Sequence, residues 1–333
     1  MIDIPALPKA ELHVHIEGTL EPQLIFELAE RNKIPLAFSS VEALDDAYRF
    51  ADLQSFLNVY YEGMKVLRSE QDFCDLTLAY MRRVQQQSVK HTEIFFDPQM
   101  HMLHGVAFET VVEGISAALS RAGEYGMSAA LIMCFLRDLP AQSAMQTLEL
   151  ALPYAGRIVA VGLDSAEIGN PPSKFTEVFQ RARAEGFLAV AHAGEEGPPA
   201  YVWEALDLLK ASRIDHGVRS LEDARLVETL RQRQVPLTVC PLSNVRLGVV
   251  KRLSDHPLKQ MLEAGLRATV NSDDPAYFSG YIDDNYREAA LALGLSNAEL
   301  IALAKNSFLA SFLDDAAKQR HLSAIDALAV STG

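Results

Sequence analysis

Short apolar runs that end in polar residues recur along this chain of 333 residues. ELHVH (11–15), TEIFFD (92–97), SAALIMCF (128–135), RIVAVGLD (157–164), FLAVAHA (187–193), RIDHG (213–217), PLTVC (236–240) and RATVNS (267–272) are eight strand candidates. Most are apolar on both faces, as parallel strands covered from both sides should be. RIDHG is poor in apolar residues, and its spacing rather than its composition argues for a strand. Amphipathic helical patterns fill the later intervals: KFTEVFQRARAEG (174–186) with Gly186 as its stop, LEDARLVETLRQRQ (221–234) and HPLKQMLEAG (256–265). Such regular alternation predicts parallel βαβ units. Eight units favour an α/β fold of the closed (β/α)8 TIM-barrel type over an open doubly wound sheet. No Gly-x-Gly-x-x-Gly follows any strand, which counts against a dinucleotide fold.

Two stretches break the rhythm. Residues 20–90 are too long for one crossover and carry several helical patterns, including DLQSFLNVYYEGMKVL (52–67). Lying between the first two strands, this excursion is expected beside the barrel mouth as a lid or pocket wall. From about 276 a helical tail follows, in which Ser296 and Glu299 form a capping-box pattern ahead of LIALAKNSFLASFL. No repeat, low-complexity segment or Gly/Pro/Ser-rich linker divides the chain, so 1–333 reads as a single barrel domain with 20–90 and 276–333 as its additions.

Composition narrows the function. A formal net charge of −14 and the lack of a basic stripe exclude nucleic acid and anionic membrane surfaces as expected partners. Cys74, Cys134 and Cys240 are odd in number and widely spaced, which fits a reducing compartment better than disulfides or a thiolate zinc site. No uncharged apolar run approaches the ~18 residues of a membrane span. MIDIPALPKAEL lacks the features of a secretory signal, so a soluble cytoplasmic protein is expected. Nothing in the sequence decides between a monomer and a homo-oligomer.

The chemistry sits at the strand ends. His13 and His15 lie two apart on a strand, so both imidazoles face one side and can reach one ion. His192 ends the fifth strand, and Glu195 follows a small Ala-Gly turn that suits a proton-transfer group. Asp215-His216-Gly217 ends the sixth strand, and Asn271-Ser272-Asp273-Asp274-Pro275 ends the eighth. Adjacent carboxylates repel unless a cation or proton offsets the charge. Each motif has a plain alternative: a solvated face, a glycine turn, a helix entry, an Asp cap before Pro275. Together they describe imidazoles and a carboxylate for a metal, with spare acid–base groups.

In this order the motifs resemble the adenosine/adenine deaminase family of metal-dependent barrel hydrolases, from about Leu7 to the C-terminal helices. The resemblance implies one zinc ion held by His13, His15, His192 and Asp273, and hydrolytic deamination of a purine by zinc hydroxide attacking C6. It implies that Glu195 protonates ring N1 and then the leaving amine, that His216 orients the hydroxide, and that Asp274 binds N7. The Pro-Cys-x-x-Cys pattern of the other zinc deaminases is absent.

Two positions depart from the nucleoside-acting members. Glu17 stands where they carry an Asp that helps hold the ribose 5′-hydroxyl, and Glu167 stands where they carry a glycine beside purine N3. A carboxylate there would occupy ribose volume and accept N9–H of a free base; a nucleoside would leave it buried and unpaired. Asp164 and Ser165 are near enough to share the task. With Glu-Ile-Phe-Phe-Asp-Pro (93–98) and Cys240-Pro241-Leu242-Ser243-Asn244, this resembles the adenine-acting branch. The expected reaction is adenine to hypoxanthine and ammonia, a step of purine salvage. Adenosine deamination and a non-catalytic purine- or metal-binding barrel are the alternatives. His101 and His104 could line the pocket or sit at a helix start, and His91, His256 and His321 are expected in helices or loops without chemistry.

Overall fold

The computed structural model describes residues 2–50 and 52–332. Eight strands run in chain order: β1 (Lys9–His15), β2 (Val89–Phe96), β3 (Ser128–Leu136), β4 (Ile158–Asp164), β5 (Leu188–Ala193), β6 (Arg213–His216), β7 (Pro236–Val239) and β8 (Arg267–Val270). Each pairs in parallel with the next, in the order β1 to β8. β1 meets the chain just beyond β8 through a parallel bridge between Val14 and Asp273. The Asp273 amide donates to His13 O and the His15 amide to Asp273 O, both at 3.0 Å. All eight predicted strands form, RIDHG included, and the barrel is the predicted fold class.

Side chains secure the same seam. Leu12 N donates to Asn271 Oδ1 at 2.9 Å, and Ser272 N to Glu11 Oε1 at 3.1 Å. The Ser272 hydroxyl also donates to Glu11, and Tyr80 donates to Glu11 Oε2 at 2.7 Å. Glu11 is fully buried. Burial pushes its carboxyl up while the bonds from Ser272 and Tyr80 favour the charged form.

The 20–90 excursion folds as four helices: α1 (Pro22–Asn32), α2 (Val41–Asp46), α3 (Leu53–Met64) and α4 (Glu70–Gln85). Reciprocal capping boxes start α3 at Asp52/Ser55 and α4 at Ser69/Asp72. α3 lies over the barrel mouth, where Leu53, Phe56 and Tyr60 face the cleft. It ends at Met64, short of the predicted 67. The helix expected over 221–234 is split: a 3-10 turn covers Val218–Glu222, and Asp223 caps the helix Ala224–Arg233. Its carboxylate accepts from Arg225 N and Leu226 N, so the chain re-enters the helix there.

Behind the barrel run Ile282–Leu293, Asn297–Ala310 and Asp315–Thr332, with the predicted Ser296/Glu299 capping box in place. Phe312 N donates to Glu93 Oε1 at 2.5 Å, and the Arg213 guanidinium lies 4.8 Å over the Phe312 ring. The tail thereby covers the N-terminal end of β6. The larger of two apolar clusters runs from Ile2 to Ile325 and joins the barrel to both additions, and the smaller holds Phe95, Ile132, Cys134, Ala160 and Val190 of the strands. Among the described residues, no helix is long and apolar enough to cross a membrane.

The seam is testable. Tyr80→Phe leaves the buried Glu11 carboxylate short of one donor. It should lower the unfolding free energy by about 1–3 kcal/mol. Urea denaturation with an unchanged m-value would register this as a lower midpoint, whereas an unmoved midpoint would remove Glu11 from the closure.

Candidate metal centre and cleft

The C-terminal ends of the strands converge on one buried point. β1 supplies His13 and His15, β5 supplies His192, and the turn after β8 supplies Asp273. One atom from each lies within 4.8 Å of the others. Asp273 Oδ1 is 3.1 Å from His13 Nε2 and 3.6 Å from His15 Nε2, and the Nε2 atoms of His15 and His192 are 3.2 Å apart. Metal–nitrogen arms of ~2.0–2.1 Å in a tetrahedron place donors ~3.3 Å apart, so these separations suit a shared ion. His13 Nε2 is buried with no hydrogen-bond partner. Burial lowers the pKa of His15 and His192, so protons do not explain the convergence. Burial alone would raise the Asp273 carboxyl, but His13, His216 and His15 together hold it below the usual carboxylate range.

The backbone is bent to aim these groups. Asp273 has φ +66°, His216 φ +63° and Ser165 φ +70°, all in the left-handed region. Each such non-glycine residue costs about 1–3 kcal/mol and persists because its surroundings over-determine it. For Asp273 the surroundings are the two backbone bonds of the barrel seam.

Acid–base groups surround the donors. His216 Nε2 lies 3.5 Å from Glu195 Oε2 and 3.8 Å from Asp273 Oδ2. Burial, then the field of Asp273, pushes the Glu195 carboxyl well above its usual range. Asp274 is raised likewise, by burial and then by Asp273, and its Oδ1 has no partner. His216 is held at about 3 by burial and His13, so its ring is neutral. Glu195, His216, Asp273 and Asp274 line the cleft around the donor set. Leu53, Phe56, Leu57, Tyr60 and Tyr61 of α3 form one wall, and Asp97 and Asp164, with Ser165, line it on the Nδ1 side of His15.

Two expected substrate residues lie elsewhere. Glu167 is buried behind the cleft. Its Oε1 accepts from Gly194 N at 2.8 Å, and its Oε2 accepts from Glu195, Glu196 and Gly197 N at 3.1, 2.9 and 2.6 Å. Four amides consume its acceptors, so it anchors the loop that carries Glu195 and does not face a base. A Cβ on Gly197 would sit 2.5 Å from this carboxylate, which is why glycine stands there. Glu17 is also buried behind the wall, where its Oε1 accepts from Asp97 N at 3.1 Å and from His101 Nε2 at 2.9 Å. Burial pushes its carboxyl up to about 7.

Asp164 and Ser165 do line the cleft. Asp164 Oδ2 is 3.6 Å from His15 Nδ1 and its Oδ1 is unpartnered; the Ser165 hydroxyl is 3.0 Å from that of Tyr61. Asp97, in the quoted 93–98 run but assigned no role, lies beside them, and burial followed by Glu17 raises it to about 6. His91 sits on β2 rather than in a loop, between Ser128 and Glu93. His101 is buried against Glu17 and is not a cleft residue. His256 supports the site: its Nε2 lies 3.1 Å from Asn244 Oδ1, and Asn244 Nδ2 is 3.4 Å from Glu195 Oε1. No strand-end pattern marks Asn244 or His256, since both act from loops and short helices beyond the barrel.

The sequence profile of the adenosine deaminase family matches residues 8–328. The chain belongs to the adenosine deaminase family. An adenine deaminase of Sphingopyxis alaskensis is 60% identical over 327 residues, spanning 98% of this chain and 96% of its own length. The crystal structure of an adenine deaminase from Arthrobacter aurescens superposes with a TM-score of 0.95 at 52% identity, covering 96% of this chain and 98% of that one. An amidohydrolase from Burkhoderia ambifaria, solved with bound Zn, gives 0.89 at 25% identity over 98% and 93% of the two chains.

In this adenosine deaminase family member, burial holds the His256 ring at about 4. A folded-state pKa below the ordinary 6.5 means that the unfolded chain takes up a proton the native ring refuses. Stability from this group is present above pH 6.5 and is lost as pH falls toward 4. Between pH 7.5 and 4.5, His256→Gln should therefore lose about 2–3 kcal/mol less than the parent in urea unfolding. An equal loss in both proteins would count against a neutral buried His256.

Proposed function

We propose that this chain hydrolyses adenine to hypoxanthine and ammonia, with one zinc ion held by His13, His15, His192 and Asp273. The observation that carries the reading is the buried donor set with a neutral carboxyl, Glu195, beside it, in a chain 60% identical to an adenine deaminase over nearly its full length. A bound divalent ion supplies Lewis acidity that makes a water nucleophilic near neutral pH. Zinc rather than another ion is favoured by the nitrogen-rich donor set and by the zinc bound in the related amidohydrolase.

The residues divide the remaining work. Adenine enters with its C6 edge toward Glu195 and Asp274. The protonated Glu195 carboxyl donates to ring N1, making C6 electrophilic. As water adds at C6, Glu195 takes up a proton and passes it to the amino group, which leaves as ammonia, and the C6 hydroxyl proton returns to Glu195 as the carbonyl forms. Neutral His216, beside Glu195 and Asp273, orients the attacking water. Protonated Asp274 donates to N7, which carries a lone pair in the 9H base. The α3 aromatics cover the ring and exclude bulk water.

The carboxyl groups beside His15 favour a base over a nucleoside. Asp97 is raised by burial and then by Glu17, and Asp164 by burial and then by Asp97, so the pair holds a proton between them. One hydroxyl and one carboxylate together match N3, an acceptor, and N9–H, a donor. A ribose on N9 would remove the donor and collide with Asp164, Ser165 and Tyr61. In this reading Asp97 and Asp164 recognise the base, and Glu167 positions Glu195.

Ammonia release from adenine and adenosine, measured side by side, tests the reading. Turnover of adenine with little from adenosine is expected; the reverse would keep the centre and reject the argument from Asp97 and Asp164. Glu195→Gln should retain the metal and lower kcat by about 100-fold or more. A parent-like rate would remove Glu195 from proton transfer. Glu167→Ala should lower kcat for adenine and confer no turnover of adenosine, and gain of the nucleoside would restore Glu167 as the selector.

A further inference from the structure

Asp215 and Thr238 stand beside the donor set, on β6 and β7. Thr238 Oγ1 donates to Asp215 Oδ1 at 2.8 Å. With its proton committed there, the same oxygen accepts from His13 Nδ1 at 3.0 Å. His13 thus carries its proton on Nδ1, which leaves the Nε2 lone pair free on the Asp273 side. The other oxygen of Asp215 lies 3.7 Å from His192 Nδ1, and neither atom has a hydrogen-bond partner. Asp215 is fully buried, and its charge is offset by Arg213, whose Nε lies 3.5 Å from Oδ1. Arg213 is held in turn by Glu93 at 2.5 Å and by the Phe312 ring.

We infer that Asp215 is a positioning residue for two imidazoles of the metal centre, acting on His13 through Thr238 and on His192 directly. Its effect is to fix which ring nitrogen of each carries the proton, so that both Nε2 lone pairs face the ion. Carboxylates and hydroxyls in this position orient metal-binding histidines and raise their basicity. The inference rests on the reading that His13, His15, His192 and Asp273 hold a metal. Asp215 lies next to His216 in sequence, yet its side chain is turned away from the cleft, whose wall is made without it.

The experiment measures zinc content and the rate of zinc loss to a chelator, using zinc-loaded protein. Parent, Thr238→Val, Thr238→Ser and Asp215→Asn are compared. Thr238→Val keeps the shape and deletes the hydroxyl, whereas Thr238→Ser restores it. Thr238→Val and Asp215→Asn should bind zinc about 10–100-fold more weakly. Thr238→Ser should stay near the parent. The visible absorption of cobalt-substituted Thr238→Val should shift relative to the parent, a change that a purely structural role would not produce. If Asp215→Asn fails to fold because Arg213 loses its partner, the Thr238 pair decides alone. Parent protein that binds one zinc, with Thr238→Val holding it as tightly and absorbing identically, overturns this inference and spares the proposed function. Parent protein that takes up no zinc overturns both.

Discussion

The meeting of β1 with the end of β8 is the constraint on which the rest depends. Closure runs through Val14 and Asp273, and the same two backbone bonds that join the strands fix the Asp273 carboxylate between His13 and His15. Fold and donor set are therefore one feature. A slip of one residue in β1 would turn both imidazoles to the outside, because side chains alternate along a strand. Glu11, bound by Ser272 and Tyr80, guards against that slip, and a misplaced register would leave its carboxylate buried without donors.

Closure also gathers an unusual load of buried carboxyl groups. Glu195, Asp273, Asp274, Asp97, Asp164 and Glu17 are all nearly inaccessible and close enough to perturb one another. Such a set is not stable as six free anions. The structure resolves the conflict by position. The carboxylate surrounded by imidazoles, Asp273, stays charged, while burial favours the protonated form of the others. A cation at the donor set and shared protons at the cleft ends are two answers to one electrostatic demand. The positive-φ backbone at Asp273 and His216 is strain held by that arrangement.

What the sequence made legible follows from strand geometry. Apolar runs located seven of the strands and spacing the remaining one, RIDHG, and a residue on a strand end has few directions to point. His13, His15, His192 and His216 were readable for that reason. Loop residues obey no such rule. Glu167 sits three residues past β4, beyond the left-handed turn at Ser165, and its direction depends on amides from the loop after β5, which no local pattern encodes. Asn244, quoted in the Cys240–Asn244 run, and His256, read as a helix or loop residue, went without a role for the same reason. Asp215 was readable as a strand residue but not as a partner of His192, since that relation exists only once β5 and β6 pair at His192 and Asp215.

The corrected place of Glu167 changes how selectivity and catalysis are linked. If one carboxylate both recognised the base and stood in the cleft, altering it would trade one substrate for another. Here the carboxylate holds the turn from Gly194 to Gly197, so altering it disturbs the placement of Glu195 and not Asp97 or Asp164. Asp97 after β2, Asp164 and Ser165 at β4, and the aromatics of α3 line the cleft beyond the donor set. These residues and the donor set come from different strands and meet at His15. Its Nε2 joins the donors, and its Nδ1 faces Asp164 across 3.6 Å. Under the proposed function, Asp164 would serve both the base and this ring, so a change at Asp164 would reach the donor set through His15.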